Sequence, residues 1–282
     1  MADALCRAVL VLLALAAGIG SAAAETTAAR APLDLKRALG ADSGLAAEDV
    51  GVDDPVYQRP MRYRGYPLAA LLRRANPDID KTAAAGAELV LRAADGYAPS
   101  MDLAKALKGR GIVAFRDLAR PEGDPWESFL QGKERITPAP YYLVWPGVDP
   151  KDATYKWPYQ LVEIEIQSFE QRYGAAMPKS AGGGDDRARR GFLVFKENCI
   201  SCHSVNLVGG DLAPELNVPK NVTEYWRPND IRALVRDAST FRARTKMPAF
   251  PQLGSAEIDD LLHYLAAMKN QKICDARKPC PN

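Results

Sequence analysis

Cys199-Ile200-Ser201-Cys202-His203 is the stretch on which the reading of this chain turns. Two thiols two residues apart, followed at once by an imidazole, place three ligand-type side chains on one tight turn. The chain of 282 residues has only two histidines, so finding one directly after the second cysteine carries information. Four chemistries use this cysteine spacing. A thioredoxin-like redox pair needs a βαβ setting, and no strand pattern surrounds this stretch. A zinc site needs four ligands; Cys274 and Cys280 would complete a set, but no ribbon-like hairpins accompany them. A disulfide between Cys199 and Cys202 closes too small a loop to add much stability. In the fourth, the thiols add across the two vinyl groups of a haem and the adjacent histidine becomes an iron ligand. That is the chemistry expected here, with one covalent haem c on Cys199 and Cys202 and His203 on the iron.

Outward from the motif the periodicity is helical. Arg187–Asn198, Asn229–Asp237 and Glu257–Met268 read as helices, and Ile258, Leu261, Leu262, Leu265 and Met268 form one apolar stripe on the last. Ser255 is placed to cap it, with Glu257, Asp259 and Asp260 in its first turn. Residues 187–282 are thus expected to be a small all-α domain ending in a tail. Before it, residues 176–186 (AMPKSAGGGDD) have a linker composition. Residues 25–175 are expected to form an α+β domain. Pro67–Ala75 and Asp102–Lys108 read as helices, and Glu88–Arg92, Gly111–Arg116 and Tyr141–Trp145 as strands. Leu161–Phe169 is the clearest strand, because Val162, Ile164 and Ile166 alternate with Glu163, Glu165 and Gln167. The paired acids then lie on its wet face.

The N-terminus reads as an export signal. Arg7 precedes an apolar run from Ala8 to Ala17, and Ala22-Ala23-Ala24 offers a cleavage site after residue 24. The run is shorter than the ~20 residues of a spanning helix, and nothing later is long and apolar enough. A periplasmic chain without a transmembrane segment after signal removal is expected, in a compartment where Cys274 and Cys280 would pair as a disulfide. A formal net charge of +2 gives no argument for nucleic acid. Residues 187–282 carry net +5 and residues 25–186 net −3, so the second domain is the basic one. Phosphate-binding loops, dinucleotide fingerprints, nucleophile elbows and H-E-x-x-H are absent, and the first domain has no histidine for a triad. The reading is not that of an enzyme.

Residues 188 to about 272 resemble a class I c-type cytochrome. The likeness rests on Gly191-x-x-x-Phe195 before the motif and Ala213-Pro214-Glu215-Leu216 after it, on Met247-Pro248-Ala249-Phe250, and on Leu262-x-Tyr264-Leu265 in the closing helix. It implies that the first and last helices cross at Gly191 and that the Pro214 carbonyl accepts the Nδ1–H of His203. It further implies that Met247 is the sixth iron ligand. Tyr225, Trp226 and Arg244 are candidate partners of the haem propionates. Gly209 and Gly210 would let the backbone turn between His203 and Pro214. Met268, on the apolar stripe, and His263, off it, read as structural.

Residues 55–170 faintly resemble the molybdopterin-binding domain of sulfite-oxidase-like enzymes. Tyr63-Arg64-Gly65-Tyr66-Pro67-Leu68, Ala94-Asp95-Gly96-Tyr97 and Pro140-Tyr141-Tyr142-Leu143-Val144 carry the likeness. The metal-ligating cysteine of that family has no counterpart here, which implies a docking role and makes Asp95-Gly96-Tyr97 a turn. The expected function is single-electron transfer between a periplasmic dehydrogenase and a redox acceptor protein, through the haem edge beside the attachment site. Two alternatives accompany it: the haem subunit of a molybdenum or quinoprotein dehydrogenase complex, and a gas sensor or enzyme with an open iron position.

Overall fold

A computed structural model describes residues 31–40, 44–179 and 185–273. The expected export signal and the Cys274–Cys280 pairing lie outside the described residues, as does the middle of the expected linker.

The first region is mostly β. One antiparallel sheet sets β1 (Leu33–Asp34), β10 (Leu161–Gln167), β4 (Glu88–Ala93) and β5 (Ser100–Asp102) side by side. A second sets β2 (Glu48–Asp54), β3 (Arg59–Pro67), β6 (Ile112–Asp117) and β9 (Tyr142–Val144). A separate hairpin joins β7 (Phe129–Gln131) to β8 (Glu134–Ile136). The short helices α1 (Leu35–Ala38), α2 (Leu68–Ala75), α3 (Ile79–Ala84) and α4 (Leu103–Lys108) connect or flank the sheets. Leu68, Leu71 and Leu72 of α2 and Leu103 and Ala106 of α4 share one core with Leu89, Leu91, Val113, Leu143 and Ile164 of the strands.

Strand β6 is covered on both faces. Val113 joins that core, whereas Ile112 and Ala114 join a second with Val50, Val52, Met61, Tyr63 and Trp126. A strand buried on both faces reads as a continuous apolar run, which Gly111–Arg116 does. The β2–β3 hairpin is not among the expected elements, although Val50, Val52 and Asp54 alternate inward along β2 and Met61, Tyr63 and Gly65 along β3. Asp54 closes that hairpin: its buried carboxylate accepts from the backbone N–H of Val56 and Tyr57 at 2.8 and 3.0 Å and from the Tyr63 hydroxyl at 2.8 Å.

Strand β10 is shorter than expected. It stops at Gln167, and Ser168 caps α5 (Phe169–Tyr173) through a reciprocal bond pair with Gln171. A bulge at Val162 resets its alternation, so Leu161 and Ile164, three apart, both reach the core. Arg92 pairs with both Glu163 and Glu165, so the acids are not simply solvated.

The second region has α6 (Asp186–Asn198), α7 (Pro228–Arg236) and α8 (Ser255–Met268). It is not wholly helical. Strands β11 (Ser204–Val205) and β12 (Val208–Gly209) pair around a two-residue loop whose Asn206 and Leu207 both have positive φ, 55° and 65°. Such a type I′ turn is too short to leave a periodic signature. Ser255 is the first residue of α8 rather than its cap; Gly254 holds that position and donates its N–H to the Glu257 carboxylate at 2.8 Å. Helices α6 and α8 touch backbone to side chain at Gly191, where a Cβ would overlap the Asp260 carbonyl oxygen and stand 2.6 Å from Tyr264 Cβ. Rings of Phe192 and Phe195 meet the Tyr264 ring at 5.8 and 5.5 Å between centroids. Arg187 and Arg190 of α6 pair with Asp260 of α8 at 3.1 and 2.7 Å.

The start of the stretch with linker composition is packed. Ala176 is buried, its carbonyl accepts the Tyr264 hydroxyl at 2.7 Å, and Tyr173 and Ala176 belong to the core of the helical region.

Candidate haem site

Helix α6 delivers the first thiol. Cys199 occupies its C-cap, and the chain then turns tightly: the N–H groups of Cys202 and His203 both reach the Cys199 carbonyl, at 3.1 and 2.9 Å. A helix C-terminus is the negative end of the backbone dipole and disfavours thiolate. Burial acts the same way, pushing the Cys199 thiol up to about 12 and the Cys202 thiol up to about 11, the latter with help from Asp95. Thiols so raised are neutral at ordinary pH. A disulfide oxidoreductase needs a lowered thiol pKa, which these two cysteines lack. Among the described residues, no group of three His, Cys, Asp or Glu side chains is placed to hold a metal ion.

His203 is held in one tautomer. Its Nδ1 lies 2.7 Å from the Pro214 carbonyl, which can only accept, so the proton sits on Nδ1 and Nε2 keeps its lone pair. Burial lowers its pKa, keeping the ring neutral and Nε2 available as a donor to iron. The loop carrying Pro214 is fixed by Glu215, a residue whose task the sequence alone does not disclose. The Glu215 carboxylate accepts from the backbone N–H of Asn206, Leu207, Asn217 and Val218 at 2.7 to 3.1 Å. Behind it Asn206, Asn217 and Asn221 form a buried chain of amides that ends on the Leu265 carbonyl. Gly209 and Gly210 pack where no side chain fits: a Cβ on either would overlap a carbonyl oxygen, of His203 and Ser201 respectively. Gly209 has φ +140°.

The structure brings Met247, Cys199, Trp226, Leu216 and Phe250 together as half-buried side chains on one apolar core. Trp226 packs its ring 5.9 Å from Phe241. Tyr225 is 55% exposed, and Arg244 is exposed with φ +57°. Met268 is buried in the core, and His263 bonds Asp185 at the start of α6 at 2.6 Å. Two neutral thiols, an imidazole with a free Nε2 and a thioether bordering one apolar cluster suit a haem.

Three residues of the first region interact electrostatically with the motif, a coupling the sequence does not disclose. The Tyr97 hydroxyl is pushed up to about 12 by burial first and then by Cys202, with Ser201 acting in the opposite direction. Asp95 and Tyr159 lie near the same cysteine.

The fold and these residues define a c-type cytochrome domain, and comparison with known proteins agrees: residues 186–265 match the family described as Cytochrome C oxidase, cbb3-type, subunit III. The chain is also similar to Cytochrome c oxidase subunit 2 of Alkalihalophilus pseudofirmus, 31% identical over 117 residues, 39% of this chain and 34% of that protein. It therefore spans about a third of the curated relative's length. Electron transfer by a haem protein is the common thread of these likenesses. They lend no support to the molybdopterin-domain resemblance of residues 55–170, which is set aside. Among the described residues no helix is long and apolar enough to cross a membrane.

Proposed function

We propose that the chain is a monohaem carrier of single electrons in a periplasm-like compartment, accepting them from a dehydrogenase and passing them to a redox acceptor protein. The observation that carries this is the fixed His203 ring: an Nδ1 bonded to Pro214 leaves only Nε2 for iron, directly beside two neutral thiols. A haem held there supplies a reversible one-electron couple. The residues of this chain do the rest. Cys199 and Cys202 would hold it through thioether bonds, His203 and Met247 would ligate its iron, and Tyr225, Trp226 and Arg244 are the proposed partners of its propionates.

Mass spectrometry and redox titration test this directly. The exported protein is expected to carry the mass of one haem and to show one low-spin, one-electron couple. A mature chain without that added mass would end the proposal. The likeness to two oxidase subunits favours a second reading, in which the chain works inside a larger oxidoreductase complex. Isolation of the native protein with stoichiometric partner subunits would select it; recovery as a lone chain would select the free carrier.

A further inference from the structure

The first region does not merely precede the haem domain; it is clasped to it, at the attachment loop itself. The β4–β5 turn, Ala94–Pro99, lies along residues 201–211. The Ala98 N–H donates to the Ser201 carbonyl at 2.8 Å, inside the C-x-x-C-H motif, and the Asp211 N–H donates to the Gly96 carbonyl at 3.0 Å. The surfaces meet so closely that a Cβ on Gly96, which has φ +91°, would overlap Asp211 Oδ1 and stand 2.8 Å from the Leu212 nitrogen. Tyr97, in the same turn, is half-buried, and burial and then Cys202 push its hydroxyl up to about 12.

Further contacts hold the same arrangement. Arg172, buried, donates to the Ala98 carbonyl at 2.8 Å, and the Ser100 and Tyr173 hydroxyls bond at 2.8 Å, so the turn is backed from behind. On the methionine-bearing loop, Lys246 pairs with Glu134 at 3.5 Å and a Cβ on Gly132 would stand 3.2 Å from the Arg244 carbonyl oxygen. The turn thus grips the loop of Cys202, and the β7–β8 hairpin grips the loop of Met247.

We infer that the first region is a built-in cap on the Cys202 side of the haem domain, with the Asp95–Tyr97 turn as its seal, so that this edge is closed to redox partners and water. The inference rests on the haem reading of the site and departs from the expected exit of electrons beside the attachment motif. A closed edge keeps water from that side of the haem. Shielding from solvent is one of the levers that set a haem potential, and access governs encounter with a partner.

Tyr97→Ala in the full chain tests it, because it removes the sealing ring and leaves every proposed haem-holding residue in place. Tyr97→Phe, which keeps the ring, is the control. Ferrous protein is mixed with tris(phenanthroline)cobalt(III), which takes one electron and leaves ferric protein. The rate constant of Tyr97→Ala is expected to rise about tenfold over wild type, within the spread found among variants of one encounter surface. Its reduction potential is expected to fall as water reaches the site, while Tyr97→Phe stays at wild-type values. An unchanged rate and potential in Tyr97→Ala would overturn the cap. Amide hydrogen exchange on the wild-type chain tests the seam independently, with or without haem. The Ala98 and Asp211 amides are expected to exchange as slowly as those of β4 and α8; rapid exchange at both would show an open seam and also overturn the cap. Absence of haem from the mature chain, by contrast, would remove the haem reading and leave the exchange result standing.

Discussion

At the scale of single residues, the site is a problem of presenting neutral donors. His203 is useful because the Pro214 carbonyl accepts its Nδ1–H and Glu215 holds the Pro214 loop. Glu215→Gln keeps the size but weakens a charge-assisted acceptor of four backbone N–H groups; a loss on the order of 1–3 kcal/mol is expected in denaturant unfolding, the range for a disturbed bond to a charged group. Met247→Ala removes the soft thioether proposed to ligate iron and favour its ferrous state. The potential is expected to drop by on the order of 0.1 V, a small part of the ~0.8 V that axial ligands command, and ferrous protein is expected to bind carbon monoxide. Spectral titration reads both; a variant with wild-type potential and no carbon monoxide binding would exclude Met247 as ligand. Most of these residues are legible because chemistry fixes their spacing. Glu215 stands in a legible motif but its task is hidden, since four backbone donors converge on it only after the β11–β12 hairpin folds.

At the scale of elements, the crossing of α6 and α8 decides whether the haem region holds together. Gly191→Ala would drive a methyl into the Asp260 carbonyl, a contact with backbone that no rotamer relieves. A destabilisation on the order of 1–3 kcal/mol, as for overpacked cores, is expected from chemical denaturation. The same crossing carries a pH dependence. Hydrogen bonds first from Arg190 and then from Arg187 hold the Asp260 carboxyl below its usual range. A depressed carboxylate pKa adds stability that is complete above the unfolded value of 3.8 and disappears as pH falls through the lower folded value. Thermal unfolding followed from pH 6 down to pH 2 (about the span of carboxylate titration) is expected to steepen in that acid window, and Asp260→Asn is expected to flatten it. The three helices are readable from periodicity within one or two residues at each end. The β2–β3 hairpin is not, because Asp54 ends an apolar alternation with a charge whose burial makes sense only once Tyr63 and two backbone amides surround it. The bulge at Val162 likewise breaks a period that the sequence displays as regular.

At the scale of the whole molecule, two regions that differ in composition and charge share a seam of backbone hydrogen bonds and close glycine contacts. Composition marks where one region gives way to the other, but contacts between residues about a hundred positions apart leave no local trace. Gly96→Val, placing a branched side chain at positive φ against Asp211, is expected to part the seam. Calorimetry should then resolve two unfolding transitions where the wild-type chain gives one. A single unshifted transition would mean the regions are not coupled there.

The turn laid over Ser201 and Cys202 also orders events in time. Ribosomes complete the first region before the pentapeptide is made, yet an enzyme that stitches porphyrin to sulfur needs both thiols in reach. Attachment of the proposed haem would therefore be expected while the two parts are undocked, with the clasp shutting afterwards.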